Sequence, residues 1–208
     1  MLAEKTVSGF LDELASNSAA PGGGSVAALA GSLGAGLTSM VGRLTVGKKK
    51  YAEVEVEMQE LIRLAEELRA RFTKLIDKDT EAFNDVMRAF SLPKDTDDQK
   101  HVRSNAIQEA TKSATLVPLE VMELCEQSLP LTRVVATKGN VNSISDAGVA
   151  ATMLRAACIS AALNVRINLG TIQDDTFIHD TGLKAENLLA SVKEQSAEIL
   201  DHVNSAIA

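Results

Sequence analysis

The stretch that decides the fold is residues 51–90, YAEVEVEMQELIRLAEELRARFTKLIDKDTEAFNDVMRAF. Its apolar residues recur at steps of four and three, which places them on one face of a helix with Glu, Arg and Lys outside that face. They are Val54, Met58, Leu61, Ala65, Leu68, Phe72, Leu75, Ala82, Val86 and Phe90. At about 1.5 Å per residue, this spacing predicts one continuous helix about 60 Å long.

One carboxylate interrupts this apolar face. Stepping by seven from Phe72 leads to Asp79 and then to Val86. A carboxylate is costly to bury unless it is paired, protonated or poised for chemistry. Two interpretations stay open: Asp79 forms a buried ion pair with Arg155 or Arg166, or it is a general acid/base whose pKa is raised by apolar surroundings.

The remaining segments are also predicted to be helical, since no stretch shows the sustained alternation of a strand. The predicted helices span residues 5–16, about 25–45 with Ser25 as N-cap, about 97–128, 146–170 and about 174–206, with a short piece near 130–137. The predicted fold class is therefore all-α: a bundle of long helices in a single domain, residues 1–208.

Residues 19–42, AAPGGGSVAALAGSLGAGLTSMVG, carry no charge in a chain that is 24% charged. Small residues at Ala27, Gly31, Ala35 and Ser39 let a second helix approach closely. Each of the four interior glycines costs about 1 kcal/mol of helix propensity. We therefore expect a helix packed on several sides, at a homodimer interface, and preceded by a glycine turn with free N–H groups.

Composition excludes several classes of function. A membrane span does not suit residues 19–42, where Gly, Ser, Ala and Thr dominate. A P-loop is excluded because no Gly-Lys-Ser/Thr follows the glycines, and a dinucleotide fingerprint because no predicted strand precedes them. The net charge of −7 argues against nucleic-acid binding. The first ten residues, MLAEKTVSGF, hold no apolar signal segment, so a cytoplasmic protein is expected.

The histidines and cysteines give no support for a metal site or a disulfide. His101, His179 and His202 lie far apart in the sequence, without the spacing of metal ligands. Cys125 and Cys158 show no CxxC spacing and are expected to be reduced thiols.

Two further groups of polar residues lie on or just before the predicted helix at residues 146–170. Asn164 and Asn168 share a predicted helix face with Ala157 and Ala161, where their amides either bond a neighbouring helix or contact a bound heterocycle. The turn at residues 139–146, GNVNSISD, either caps the following helix or supplies polar groups to a binding cleft.

Several segments together resemble the cyclodeaminase family, in the same order along nearly the whole chain. These segments are FLDELAS, APGGGSVAALAGSLGAGLTSMVGRLTVGKKKY, LIDKDTEAFNDVM, LPKDT, GNVNSISD and NVRINL. The family comprises the C-terminal domain of formiminotransferase-cyclodeaminase and free-standing bacterial proteins, some of them methenyltetrahydrofolate cyclohydrolases. The resemblance implies an all-helical obligate homodimer with a tetrahydrofolate derivative as substrate and no further cofactor.

The resemblance also implies a reaction and a catalytic residue. Cyclodeaminases close 5-formiminotetrahydrofolate to 5,10-methenyltetrahydrofolate with loss of ammonia, and cyclohydrolases open the methenyl ring to 10-formyltetrahydrofolate. The second Asp of the D-x-D motif, Asp79, is the implied general acid/base. These 208 residues contain no formiminotransferase domain, which favours the cyclohydrolase reaction. A non-catalytic helical dimer that binds folate or another protein is the alternative.

The substrate-binding residues are predicted from the residue patterns together with the folate substrate that the resemblance implies. Asn140, Asp146 and Asn164 are candidates for the pterin edge, and Lys48, Lys49 or the N–H groups of the glycine turn for the anionic glutamate tail. The lysines at 48–50 are alternatively only a helix-terminal charge cluster. The full predicted set is Gly22, Gly23, Gly24, Ser25, Lys48, Lys49, Asn140, Ser143, Asp146 and Asn164.

Overall fold

The computed structural model describes residues 1–208, and these residues form helices and connecting turns without any β-strand. The α-helices are α1 (Val7–Leu14), α2 (Gly23–Thr45), α3 (Glu55–Phe90), α4 (Asp97–Lys138), α5 (Ile144–Leu169) and α6 (Asp175–Ile207). Short 3-10 helices cover Leu2–Glu4, Lys49–Val54 and Val141–Ser143. The predicted all-α bundle of long helices is confirmed.

Helix α2 is antiparallel to α3. Near the start of α2, the Ser25 hydroxyl lies 3.0 Å from the carboxylate of Asp79, late in α3. Near the end of α2, the Ser39 hydroxyl donates to Glu66 at 2.7 Å, early in α3. Polar side chains at both ends therefore fix the register of the two helices.

Helix α2 is also antiparallel to α5, and the two helices pack closely because their facing residues are small. A Cβ on Gly34 would lie 2.7 Å from Cγ of Leu154 and 3.1 Å from the Ala150 carbonyl oxygen. A Cβ on Gly31 would lie 2.3 Å from the ring of Phe72 in α3. The predicted close-packed glycine-alanine helix is therefore observed, with α3 on one side and α5 on the other.

Proline does not interrupt α4, so the predicted break near residue 128 was wrong. The helix continues through Pro118 and Pro130 to Lys138. Leu129 and Thr132 beside Pro130 are fully buried. Burial of this segment in the core outweighs the local cost of a proline within a helix, which is about 3 kcal/mol.

Two predicted helix starts also shift. Helix α2 begins at Gly23 with Gly22 as N-cap, so the assignment of Ser25 as N-cap was wrong. The Ser25 hydroxyl bonds α3 instead of its own helix. Helix α3 begins at Glu55, after the 3-10 helix, and its 36 residues span about 54 Å.

Two helical segments, Gly23–Thr45 and Val141–Leu169, are long and apolar enough to cross a membrane by length and composition alone. In the bundle, 56% and 50% of their most apolar windows are buried against other parts of the protein. Core helices of soluble proteins pass the same test, so these two segments are weak evidence for a membrane protein.

The packing of α2 on α3 predicts opposite effects for two glycine-to-alanine substitutions. Gly31→Ala forces a methyl group against Phe72 and is expected to lower the free energy of unfolding by about 1–2 kcal/mol. Gly36→Ala meets only Arg69 Cδ, at 3.6 Å, and is expected to raise it by up to about 1 kcal/mol through helix propensity. Urea unfolding at one fixed protein concentration measures both. Equal effects of the two substitutions would contradict this account of the packing.

Candidate functional site

A cavity of about 400 Å³ lies at the N-terminal end of α2, between α3, α4 and α5. This volume lies within the range of small-molecule binding sites. The lining consists of Ala19, Ala20, Gly22, Gly23, Gly24, Asp79, Thr80, Phe83, Val86, Phe90, Ile107, Thr111, Ala114, Pro118, Asn164, Ile167, Asn168 and Thr171. Asp79 is the one charged residue among these 18.

The residues that line the cavity follow one another along α3, α4 and α5 at the same intervals as residues that pack in a hydrophobic core. On α3 the lining residues Asp79, Phe83, Val86 and Phe90 follow one another at steps of four and three. The predicted apolar face of this helix packs in the core as far as Leu75, with Ile76 buried next to it. Beyond Ile76 the same face of the helix lines the cavity. Asp79 lies in this part of the face, so its carboxylate borders the cavity instead of the packed core.

The carboxylate of Asp79 lies against the first turn of α2. A Cβ on Gly24 would lie 2.0 Å from Asp79 Oδ1, so only glycine at position 24 permits this approach. The first N–H groups of a helix have no partner within the helix and carry partial positive charge. Gly24 therefore allows the carboxylate to reach the electropositive end of α2.

Burial raises the pKa of Asp79 above its ordinary value, because desolvation disfavours the charged form. Hydrogen bonds from the side chain and backbone of Ser25 favour the ionised form and oppose this effect without cancelling it. The predicted ion pair with Arg155 or Arg166 is absent, so that interpretation was wrong. Arg155 lines a separate surface pocket with residues of α6, and Arg166 is exposed.

The fully buried Ser25 hydroxyl gives Asp79 a partner in both protonation states. Its oxygen lies 3.0 Å from Asp79 Oδ2 and 2.9 Å from the carbonyl oxygen of Ile76. With Asp79 ionised, the hydroxyl donates to the carboxylate. With Asp79 protonated on Oδ2, the acid donates to Ser25 while Ser25 donates to Ile76. This arrangement suits a group that gains and loses a proton.

The predicted site residues fall into two groups. Gly22, Gly23, Gly24, Asp79 and Asn164 line the cavity, and Ser25 lies directly behind the carboxylate. The others are found at the opposite end of α2, about 33 Å away along the helix axis. These are Lys48, Lys49, Asn140, Ser143 and Asp146.

Asn140 and Ser143 of the second group have structural surroundings of their own. The backbone N–H of Asn140 donates to the Thr45 hydroxyl at 2.8 Å, and its side-chain amide donates to the Leu44 carbonyl at 3.1 Å. Ser143 is buried, whereas Lys48 and Lys49 are exposed. Within one chain, this group does not reach the cavity.

Sequence reasoning missed most of the apolar lining and Thr80. Phe83 lies one turn after Asp79, so the spacing of the carboxylate itself could have identified it. Ile107, Thr111, Ala114 and Pro118 repeat the same four-three spacing on α4, but this spacing is indistinguishable from a core face without the fold. Asn168, noted from its register with Asn164, lines the cavity as well.

No group of three or more His, Cys, Asp or Glu side chains in residues 1–208 converges in a way that could hold a metal ion. Cys125 and Cys158 are free and buried. The chemistry available in the cavity is therefore that of one carboxylate, hydroxyl and amide side chains, and backbone groups.

The hydrogen bond from Ser25 predicts a change in the titration of Asp79. Ser25→Ala removes a donor that favours the carboxylate, so the pKa of Asp79 is expected to rise further. Ser39→Ala, which removes a hydroxyl from the same helix but bonds Glu66, is the control and should leave Asp79 unchanged. The carbon-13 shift of the Asp79 carboxyl, followed by NMR against pH, measures both. A pKa that stays or falls in Ser25→Ala would refute the role of the hydroxyl.

Comparison of the sequence with known proteins finds a family profile and relatives whose names include cyclodeaminase or methenyltetrahydrofolate cyclohydrolase. The sequence profile of the formiminotransferase-cyclodeaminase family matches residues 6–187. A methenyltetrahydrofolate cyclohydrolase of Methylorubrum extorquens is 44% identical over 207 residues, covering 100% of both chains. A formimidoyltransferase-cyclodeaminase of Mus musculus is 38% identical over 199 residues, which cover 96% of this chain but only 37% of the mouse protein.

A solved structure has the same fold. The crystal structure of a formiminotetrahydrofolate cyclodeaminase from Thermotoga maritima superposes with a TM-score of 0.90 and 29% sequence identity, covering 100% of both chains. The profile match, the full-length relative and the shared fold confirm the resemblance found in the motifs. The chain belongs to the formiminotransferase-cyclodeaminase family.

Proposed function

We propose that this protein is a folate one-carbon enzyme that hydrolyses 5,10-methenyltetrahydrofolate to 10-formyltetrahydrofolate, with Asp79 as general base and then general acid. The observation that carries the proposal is the single carboxylate in an otherwise uncharged cavity. The methenyl group is an amidinium cation, which an isolated, partly desolvated carboxylate stabilises. The full-length relative named a methenyltetrahydrofolate cyclohydrolase supports the choice of reaction.

The chemistry needs one group that both accepts and donates a proton. Asp79 takes a proton from water as the water oxygen bonds the methenyl carbon, which gives a tetrahedral intermediate. The same proton passes to N5 as the bond between N5 and that carbon breaks. The remaining hydroxyl proton is released, and the formyl group stays on N10. A carboxyl whose pKa is raised towards neutral pH exchanges protons more effectively in both directions.

The cavity walls suit a flat heterocycle. Phe83 and Phe90 supply aromatic surface, although the guanidinium of Arg103 lies over one face of the Phe90 ring. Asn164 and Asn168 offer amide donors and acceptors for a pterin edge. Asn164 donates to its own helix at Ser160, which leaves its oxygen as an acceptor. The Asn168 side chain forms no hydrogen bond within the chain and is free for a ligand.

A second candidate reaction is the cyclisation of 5-formiminotetrahydrofolate with loss of ammonia. The specific observation in its favour is that the Thermotoga maritima structure, which matches this chain over its full length, is described as a cyclodeaminase. In this reaction Asp79 removes the proton from N10 and delivers one to the departing amine. The 44% identity to the cyclohydrolase, against 29% to the cyclodeaminase structure, favours hydrolysis.

We also infer that the enzyme is a cytoplasmic homodimer that binds neither nucleic acid nor membrane. Support for the dimer comes from the exposed apolar surface of α2 and α5, where Leu33, Leu163 and Ile167 are each more than half exposed. Support for the cytoplasm comes from two free cysteines. The reaction as proposed uses the folate and water as its only reactants.

Substitution of the carboxylate tests the catalytic role. Asp79→Asn keeps the size of the side chain but cannot take up a proton, so hydrolysis is expected to fall by about 10²- to 10⁴-fold. Asp77→Asn is the matched control, because Asp77 lies two residues earlier and accepts from the backbone of Leu2 outside the cavity. The ultraviolet absorbance of the methenyl species follows both candidate reactions. A fully active Asp79→Asn enzyme would refute the proposal, and a wild-type protein without either activity would favour a non-catalytic folate-binding or interaction module.

The same substitution has a separate effect on stability. Because the pKa of Asp79 is raised in the folded state, the folded protein holds this proton more tightly than the unfolded chain. Stability is therefore lost as pH rises from the ordinary value of 3.8 through the higher folded value. Asn does not titrate, so the stability of Asp79→Asn relative to wild type should increase across this window and then level off. Urea unfolding at a series of pH values measures the difference, and a constant difference would contradict the raised pKa.

A further inference from the structure

We propose that Gln108 of α4 is a positioning residue for the substrate: it holds the turn between α5 and α6 and thereby sets the place of Asn168 in the cavity wall. The identity of the substrate rests on the proposed function, whereas the contact between Gln108 and the turn does not. Gln108 itself does not line the cavity, so it acts through the backbone of this turn.

The turn between α5 and α6 comprises residues 170–174 and has few contacts of its own. Residues 172–174 belong to no helix, and Thr171 and Gln173 are exposed. Ile172 is buried in the core and attaches the middle of the turn to the bundle. The carbonyl of Thr171 and the N–H of Gln173, on either side of Ile172, have no backbone partner.

Gln108 supplies a partner to both of these backbone groups. Its side-chain nitrogen donates to the carbonyl oxygen of Thr171 at 3.0 Å, and its side-chain oxygen accepts from the N–H of Gln173 at 2.8 Å. A carboxamide offers a donor and an acceptor side by side in one planar group. Two hydrogen bonds from one planar group fix the orientation of the turn relative to α4, which a single bond would leave free.

The turn transmits this constraint to the wall of the cavity. Thr171 lines the cavity, and both its N–H and its hydroxyl donate to the carbonyl oxygen of Asn168, at 3.0 and 2.9 Å. Asn168 lines the cavity as well, with a side-chain amide that is free for a ligand. A shift of Thr171 therefore moves the last turn of α5, and with it the amide that the substrate meets.

Two adjacent faces of α4 serve the cavity and the turn. Ile107 and Thr111 line the cavity, and the residues that follow each of them, Gln108 and Lys112, bind the turn. The Lys112 ammonium lies 2.9 Å from the carboxylate of Asp174, which caps α6. This ion pair keeps the turn attached to α4 when Gln108 is replaced, so a variant at position 108 is expected to fold.

The turn lies at the end of the cavity that is farther from Asp79. A Cβ on Gly23 would lie 3.3 Å from the amide nitrogen of Asn164, which places Asn164 near the start of α2 and the carboxylate. Thr171 follows Asn164 after two helical turns, about 10 Å along α5. Proton transfer at Asp79 therefore does not involve the turn directly, and loss of Gln108 is expected to weaken substrate binding instead of the chemical step.

Kinetics of a variant without the two hydrogen bonds test this division. Gln108→Met keeps the length of the side chain, and KM for 5,10-methenyltetrahydrofolate is expected to rise about five- to tenfold while kcat stays within about twofold of wild type. Gln99→Met is the matched control, because Gln99 of the same helix also binds two backbone groups, the N–H of Asp95 at 2.9 Å and that of Thr96 at 3.2 Å. Its KM should not change. An unchanged KM in Gln108→Met, a fall in kcat alone, or an equal rise in the control would overturn the proposal.

A double-mutant cycle tests whether Gln108 acts through Asn168. Asn168→Ala removes the amide and is expected to raise KM by about fivefold or more on its own. Addition of Gln108→Met should then raise KM by less than about twofold further, because no amide is left to misplace. Single effects that multiply in the double variant would show that Gln108 acts on stability or on another part of the site, and would refute the positioning role.

Hydrogen exchange tests the contact with the turn without any assay of activity. Because Gln108 is the partner of the Gln173 N–H, protection of this amide should be lost in Gln108→Met and kept in Asn168→Ala. An unprotected Gln173 amide in the wild-type protein would refute the hold on the turn. A wild-type protein without activity refutes the proposed function instead, and the affinity for tetrahydrofolate then replaces KM in the kinetic comparison and in the double-mutant cycle.

Discussion

The close approach of α2 to α3 and α5 is the constraint on which the rest of this structure depends. Gly24, Gly31 and Gly34 leave no room for a Cβ, because the carboxylate of Asp79, the ring of Phe72 and the side chain of Leu154 occupy that space. The helix gives up about 1 kcal/mol of propensity at each glycine and gains contact with two neighbouring helices. Core packing and the position of the Asp79 carboxylate therefore follow from the same small-residue face.

The environment of Asp79 combines opposing electrostatic effects. Desolvation favours the protonated acid, while Ser25 and the N-terminal end of α2 favour the carboxylate. Because desolvation is the larger effect, the pKa of Asp79 is raised rather than lowered. A fully buried ion pair would have held the group ionised and unreactive, whereas an exposed carboxylate would have been a weak base. The observed position lies between these two extremes: Asp79 is partly desolvated, hydrogen-bonded to Ser25 and without a cationic partner.

Much of the fold could be predicted from the sequence, because long helices carry a strong periodic signal. The spacing along residues 51–90 identified α3 and its one anomalous carboxylate, and the small residues of α2 indicated close packing. The course of α4 through Pro130 could not be predicted, since burial of Leu129 and Thr132 is a tertiary effect. The cavity walls on α4 could not be predicted either, because residues that line an apolar cavity have the spacing of residues that fill a core.

The sequence-predicted site residues lie at both ends of α2, and this separation has a physical meaning. Helix α2 is about 33 Å long, so Asp79 and Lys48 of one chain lie beside its opposite ends. At the end of α2 that is far from the cavity, Asn140 bonds Thr45 and Leu44 and so holds the turn before α5 against this helix. Motifs that flank α2 in the sequence therefore need not share one site, because a helix advances about 1.5 Å per residue and separates them.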